Sequence, residues 1–207
     1  MTAGAAMVLL TYTPGPAAEP AVYEPWVRSE DNPTFNAIPG IDDYSNWKIV
    51  APAGGALPWT HFDLMQLTEP TQVEAVWFNA DLDRFRKGWV ARWGYGRSGP
   101  SPVNGNGHLC VAGERPRSPR RQWAVLELLD SPEHGTGERW VVSAALRKHY
   151  ALGPAPSGES WRRPASEFNS LGCAAVGLAF HDSRPASRDW TSRHLLAECI
   201  AAPWLGL

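Results

Sequence analysis

The order of hydrophobic runs in the first half of the chain restricts its fold more than any single motif does. Residues 7–13 (MVLLTYT) form a short β-branched and aromatic run closed by Pro14-Gly15, the pattern of a strand entering a turn. Val22, Trp26 and Val27 then recur at helical spacing. They predict a helix over 19–29, an irregular turn, and one more helical turn before Pro39-Gly40. Residues 42–52 (DDYSNWKIVAP) read as a second strand and 57–67 (LPWTHFDLMQL) as a third. Thr68 is an N-cap candidate for a helix carrying Val73, Val76, Trp77, Phe85, Trp89 and Val90, broken around Asn79 to Asp81. A Gly/Ser/Pro/Asn-rich loop leads to a fourth strand over 108–114. The order β-α-β-β-α-β is that of the ferredoxin-like, split βαβ unit, an antiparallel sheet with helices on one face.

The pattern partly restarts further on. Residues 122–130 (QWAVLELLD) predict a strand and 138–150 a helix, although the Trp-Val-Val start of the latter would also suit a strand. Residues 173–182 predict another strand, and 194–202 fit either state. The basic stretch at 115–123 (RPRSPRRQW) is interrupted by prolines, so it reads as an exposed linker rather than a phosphate site. The expected organisation is an α+β unit over 1–116 and a second α+β unit over 121–207, either a degenerate repeat of the first or an unrelated cap.

Composition narrows the function class. A net charge of -2 gives no electrostatic reason to expect nucleic acid or an anionic membrane surface as partner. No run approaches the roughly 18 apolar residues of a membrane span. The N-terminal stretch lacks the basic segment of a signal peptide. Cys110, Cys173 and Cys199 are far apart and form no CxxC or Cys/His metal spacing, which predicts reduced, buried thiols in a cytoplasmic chain with no metal. GYGRSG (94–99) lacks the strand and helix that a phosphate loop needs. Eleven tryptophans supply apolar area whose N–H needs a partner, which suits cores and aromatic pockets alike.

The third strand poses the chemical question. Alternation puts Thr60, Phe62 and Leu64 on one face and Trp59, His61, Asp63 and Met65 on the other. An imidazole and a carboxylate between a Trp and a Met belong either in water or in a cavity where they act. His61 is the leading acid/base candidate and Asp63 its orienter. Tyr12 or Thr11 on the first strand would add a hydroxyl, one facing the helices and the other the opposite side. Tyr44, Asn46 and Trp47 on the second strand are similar candidates. Glu127, central in WAVLELL, is a second carboxylate candidate for burial. Asp31-Asn32 reads as a helix-end cap, with a polar rim as the alternative, Arg28 as an i,i+4 surface partner of Glu24, and His181-Asp182 as a strand terminus.

The strand followed by TPG, the segment YEPWVRSEDNPTFNAIPGIDDY (23–44) and the stretch GGALPWTHFDLMQL (54–67) resemble the REDY-like HapK family of the dimeric α+β barrel, EthD-like superfamily. The resemblance covers residues 7–114, and the chain is about twice a typical single unit. It implies a sheet whose helix-free face closes against a second sheet, within the chain in tandem or through a homodimer, with ligand in the lumen. Phe62 and Leu64 would then pack under the helices, while Trp59, His61, Asp63 and Met65 face the ligand. On this reading the protein is a cofactor-independent lyase, isomerase or cyclase acting on a small hydrophobic, aromatic or polyketide-like substrate. His61, Asp63, Tyr12, Tyr44 and Glu127 would be its catalytic candidates, and Trp59, Met65, Trp47, Asn46 and Thr11 would line the substrate. Alternatives are a haem- or oxygen-dependent monooxygenase and a non-catalytic carrier of a hydrophobic metabolite.

Overall fold

In the computed structural model, residues 5–52, 59–94, 106–112, 120–133, 137–146, 162–164, 171–186 and 189–205 are described. The first half contributes strands β1 (Ala5–Tyr12), β2 (Ile41–Ala51), β3 (His61–Leu67) and β4 (Asn106–Ala112). The second contributes β5 (Trp123–Leu129), β6 (Glu138–Leu146), β7 (Arg162–Pro164), β8 (Ala175–His181) and β9 (His194–Ala201). The strands run in the order β4-β1-β3-β2-β9-β5-β8-β6, and β6 returns to pair with β4. Every pairing is antiparallel, so the sheet closes into an eight-stranded barrel, with β7 added beside β6. Closure leaves no strand of the barrel with an unpaired edge along its whole length.

Helices lie in the first half. Between β1 and β2 run α1 (Pro20–Trp26), a π turn (Val27–Asp31) and α2 (Asn32–Asn36). Between β3 and β4 come a 3₁₀ turn (Pro70–Gln72), α3 (Val73–Trp77) and α4 (Ala80–Trp93). The break expected around Asn79 is real. Asn79 caps α4, its Oδ1 accepting from the amides of Asp81 (2.9 Å) and Leu82 (3.2 Å). Thr68 does not cap α3, because the 3₁₀ turn intervenes.

In the second half, among the described residues, the only helical segment is a 3₁₀ turn at Pro203–Leu205. The helix expected over 138–150 is instead strand β6 as far as Leu146. Its period is two: Glu138, Trp140 and Val142 are buried while Arg139 and Val141 are exposed. Pairing with β4 and β8 overrides the helical propensity of its alanines. The ambiguous segment beginning at His194 is strand β9. The Gly-rich loops at 53–58 and 95–105, most of the basic linker and most of 147–170 lie outside the described residues.

The barrel interior is a packed core. It holds Met7, Leu9, Trp47, Phe62, Leu64, Cys110, Leu126, Trp140, Leu178 and Leu195, drawn from all eight strands. Eight strands make a barrel whose inside is about filled by side chains, and the indole of Trp47 stacks on Phe62 at 5.9 Å. One end is closed by Arg120, which reaches Glu138 (2.9 Å) and Gln66 (3.2 Å) and lies over the Phe180 ring. This corrects the expected ligand lumen: Phe62 and Leu64 point into the barrel, and Asp63 and Met65 point out toward the helices. Trp140 is fully buried, with its indole N–H donating to Glu138 Oε2 at 3.2 Å. Trp140→Ala is expected to destabilise the chain by about 3–5 kcal/mol, read as a lower urea midpoint.

A second apolar layer lies between the outer face of β1–β3 and the helices, through Val8, Tyr44, Met65, Leu67, Phe35, Val76, Trp77 and Leu82. Trp77 lies directly over Gly107 of β4, where a Cβ would collide with its ring. The absence of a side chain there lets the indole lie flat on the strand. Of the described helices, none is long and apolar enough to cross a membrane.

Candidate functional site

The outer face of β1, β3 and β2 builds a polar floor in register. Tyr12, His61 and Lys48 form one cross-strand row, Leu10, Asp63 and Asn46 the next, and Met65 stands beside Tyr44 in the row beyond. The roof is the segment α1–π turn–α2. Pro25 inside α1 cannot donate a backbone hydrogen bond, and the chain then widens, the Asn32 amide donating to the Val27 carbonyl five residues back. The π turn buries both Val27 and Asp31. Arg28 anchors it to β9, the strand next to β2, its Nε donating to the Ile200 carbonyl at 2.9 Å.

Asp31 is thereby delivered onto Asp63. Asn46 Nδ2 donates to Asp31 Oδ2 at 2.7 Å and to Asp63 Oδ1 at 3.0 Å. The Tyr44 hydroxyl lies between the same two groups, 2.7 Å from Asp63 Oδ2 and 3.2 Å from Asp31 Oδ2. Tyr12 OH donates to Asp63 Oδ1 at 3.0 Å. Behind it, Tyr23 OH donates to Tyr12 OH (3.5 Å) and Trp89 Nε1 to Tyr23 OH (3.2 Å). Asn32 fixes the Asn46 amide by donating to its Oδ1 at 2.9 Å, and Asn36 holds the backbone of Tyr44 through both its amide and carbonyl. Phe35 stacks on the Tyr44 ring at 4.2 Å.

Two carboxylates so placed cannot both ionise cheaply. Burial pushes Asp31 up from the ordinary 3.8 to about 7, against the hydrogen bonds of Asn46 and Tyr44 that favour its charge. Burial and then the charge of Asp31 hold Asp63 well above the ordinary carboxylate range, despite three donors. Near neutral pH the pair therefore favours one protonated and one ionised member over two ionised ones. Tyr44 has one hydroxyl hydrogen, so it donates to the ionised partner and accepts from the protonated one. Burial, with both acids adding to it, keeps Tyr12 and Tyr44 as phenols. Among the described residues no cation is bonded to the pair: Lys48 is tied to Glu24 at 2.9 Å, and Glu24 also meets Arg28 at 3.6 Å.

His61 stands at the edge of this cluster and is half-buried. Its Nδ1 is 2.9 Å from Thr60 Oγ1, and its ring stacks on Tyr12 at 5.6 Å and meets Tyr23 edge-on. Burial, then the charge of Lys48, lowers it to about 4, so it is a neutral imidazole at pH 7. From Tyr12 and Tyr23 an aromatic wall continues away from His61 through Trp26, Trp89, Trp93 and Phe85.

Of the sequence candidates, Asp63, Tyr12, Tyr44, Asn46 and His61 come together here. Asp63 is bonded by Tyr12, Tyr44 and Asn46 rather than oriented against His61. Trp47, Trp59 and Thr11 belong to the barrel side; Thr11 Oγ1 is 3.5 Å from His108 Nε2. Met65 packs under the helices as a core residue. Glu127 is remote from the cluster, on the outer face of β5 with His194 Nε2 at 3.5 Å. Arg28 and Glu24 pair as expected. Asp31, read as a helix-end cap or, alternatively, part of a polar rim, is not among the sequence's catalytic candidates. A carboxylate four positions after Val27, on the apolar stripe of that helix, was the available signal.

Among the described residues no group of three or more His, Cys, Asp or Glu side chains could hold a metal ion. No curated protein and no solved structure matches the chain. Residues 6–89, the first part of the chain and the stretch that holds Tyr12, Asp31, Tyr44, Asn46, His61, Asp63 and Trp89, match the model of the REDY-like protein HapK family.

Proposed function

We propose that this protein is a cofactor-independent acid/base enzyme for a small hydrophobic, aromatic or polyketide-like metabolite, catalysing an isomerisation, cyclisation, dehydration or elimination. The observation that carries the reading is the buried Asp31/Asp63 pair bridged by Asn46 and Tyr44. One member ionised and one protonated is the state that proton-transfer chemistry needs at pH 7. The ionised carboxylate takes a proton from substrate, and the other returns one through Tyr44 or directly. Tyr12 stabilises the charge left on Asp63 once it has given up its proton, and its own donor from Tyr23 strengthens that bond. The aromatic wall offers an apolar surface to a planar substrate and excludes water. His61, neutral at the edge, offers a hydrogen bond to a substrate heteroatom.

The same reading extends to the fold. The order β4-β1-β3-β2 is that of a ferredoxin-like sheet, and β9-β5-β8-β6 repeats it position for position. We read the chain as one ferredoxin-like unit fused to a copy of its strand order, on the plan of a dimeric α+β barrel.

Incubation of the protein in D₂O with a panel of enolisable aromatic metabolites tests the function. Wild type should wash deuterium into its substrate, read by mass spectrometry, and the activity should survive exhaustive chelation. No exchange or turnover with any member, alongside tight binding that survives Asp63→Asn, would favour a carrier instead. His61→Ala is expected to lower kcat/KM by about 10²-fold at most, the low end for an acid/base group. A larger loss at unchanged melting temperature would return the central role to His61.

A further inference from the structure

We infer that the C-terminal half is a built-in partner: it fills the place of a second subunit, completes the acid site of the first half, and carries no such site among its described residues. The inference rests on the tandem reading above. Three independent observations support it. The two sets of four strands join reciprocally, the second strand of one set to the fourth of the other, through β2–β9 and β4–β6. Both seams that a homodimer would use are therefore occupied within one chain.

The second observation is chemical. The outward-facing residues of β5, β8 and β6 include Val125, Ala175, Gly177, Ala179 and Val141. Glu127 stands among them, with His194 as its neighbour. Among the described residues the other outward carboxylate of this sheet, Glu198 of β9, stands in register with Trp123 and Lys48. Glu127 stands in register with His194, so the two are not brought together as Asp31 and Asp63 are, and no described helix roofs this face. The third observation ties the halves at the site. Ile200 and Ala201 of β9 pack with Tyr12, Tyr23, Val27 and Trp93, and the Ile200 carbonyl accepts from Arg28 in the π turn that delivers Asp31. Arg28 is thus a positioning residue for Asp31, and the second half supplies its anchor.

Light scattering on the full chain, from low to high micromolar, should give a single 22.7 kDa species. A dimer that persists on dilution would overturn the inference. The Asp31 carboxyl signal, assigned in ¹³C NMR by its loss in Asp31→Asn, reads the anchor. In Arg28→Leu its titration midpoint should fall by about one pH unit or more toward the ordinary range, as water reaches the loosened turn. Arg28→Lys, which can still reach the Ile200 carbonyl, should keep it. An unchanged midpoint in folded Arg28→Leu would overturn the role of the second half in the site; should that variant fail to fold, the mass measurement and a comparison of Arg28→Lys with Arg28→Gln decide. These readouts need no substrate. Full turnover in Asp63→Asn would remove the proposed function while leaving the mass and the anchor standing.

Discussion

Asp63→Asn should lower kcat by about 10³-fold or more, within or above the range for removing a general acid or base, while the fold persists. Asp63 is bonded at once by Tyr12, Tyr44 and Asn46. An amide keeps the shape of the carboxyl but cannot take up a proton at pH 7. It also confronts donors with a donor: one of Tyr12, Tyr44 or Asn46 must turn its hydrogen away from the Asn nitrogen. Loss at unchanged KM would mean that the interaction is made in the transition state. Measuring kcat and melting temperature on one preparation separates chemistry from folding. Retention of more than a tenth of the activity in a folded variant would move the chemistry elsewhere.

Asp31→Asn should do two things at once, making the protein more stable at pH 8 and less active. The folded carboxyl titrates near 7, against an ordinary 3.8 in the unfolded chain. Between those values the folded state holds a proton that the unfolded state has released, so stability falls as pH rises through the window. Below about pH 4 both states are protonated and there is no penalty; above about 7 the penalty is complete. At about 1.4 kcal/mol per pH unit the full effect is on the order of 4 kcal/mol, less whatever the neutral hydrogen bonds lose. The gap in melting temperature between variant and wild type should open from pH 4 to 7 and then level off. In activity, a limb near neutrality in wild type should vanish in Asp31→Asn and persist in His61→Ala, because His61 titrates near 4. A neutral limb that disappears with His61 instead would contradict the assignment to the acid pair.

This assignment differs from the one read along the strands, and the reason is parity. Alternation in LPWTHFDLMQL correctly separates Phe62 and Leu64 from His61 and Asp63 but misplaces Trp59, which packs in the barrel core ahead of the start of β3 at His61. Alternation in the first strand separates Tyr12 from Thr11. It contains nothing that says which set faces the helices. That depends on which face of the sheet the crossover from β1 to β2 covers, and on whether the other face is hollow or filled. Trp47, Trp140 and Phe62 fill it. Glu127 shows the same limit: it alternates with the inward Leu126 and Leu128, so a central position in an apolar run did not make it buried chemistry.

Local sequence by itself determined the elements whose signals are local. The β-α-β-β-α-β order, the Asn79 break, the strands β1, β2, β3, β4, β5 and β8, and the grouping of Asp63, Tyr12, Tyr44 and Asn46 as polar residues on adjacent strands all follow from spacing and turn chemistry. Tertiary structure alone decided the rest. Segment 138–146 is a strand because β4 and β8 pair with it on either side. Asp31 is a buried acid and not a cap because a π turn, held by a carbonyl 172 residues away in sequence, rotates it onto Asp63. The pKa near 7 of Asp31 comes from burying its carboxyl out of water, and the charge of Asp31 in turn helps to raise Asp63; no stretch of sequence contains that burial or that juxtaposition.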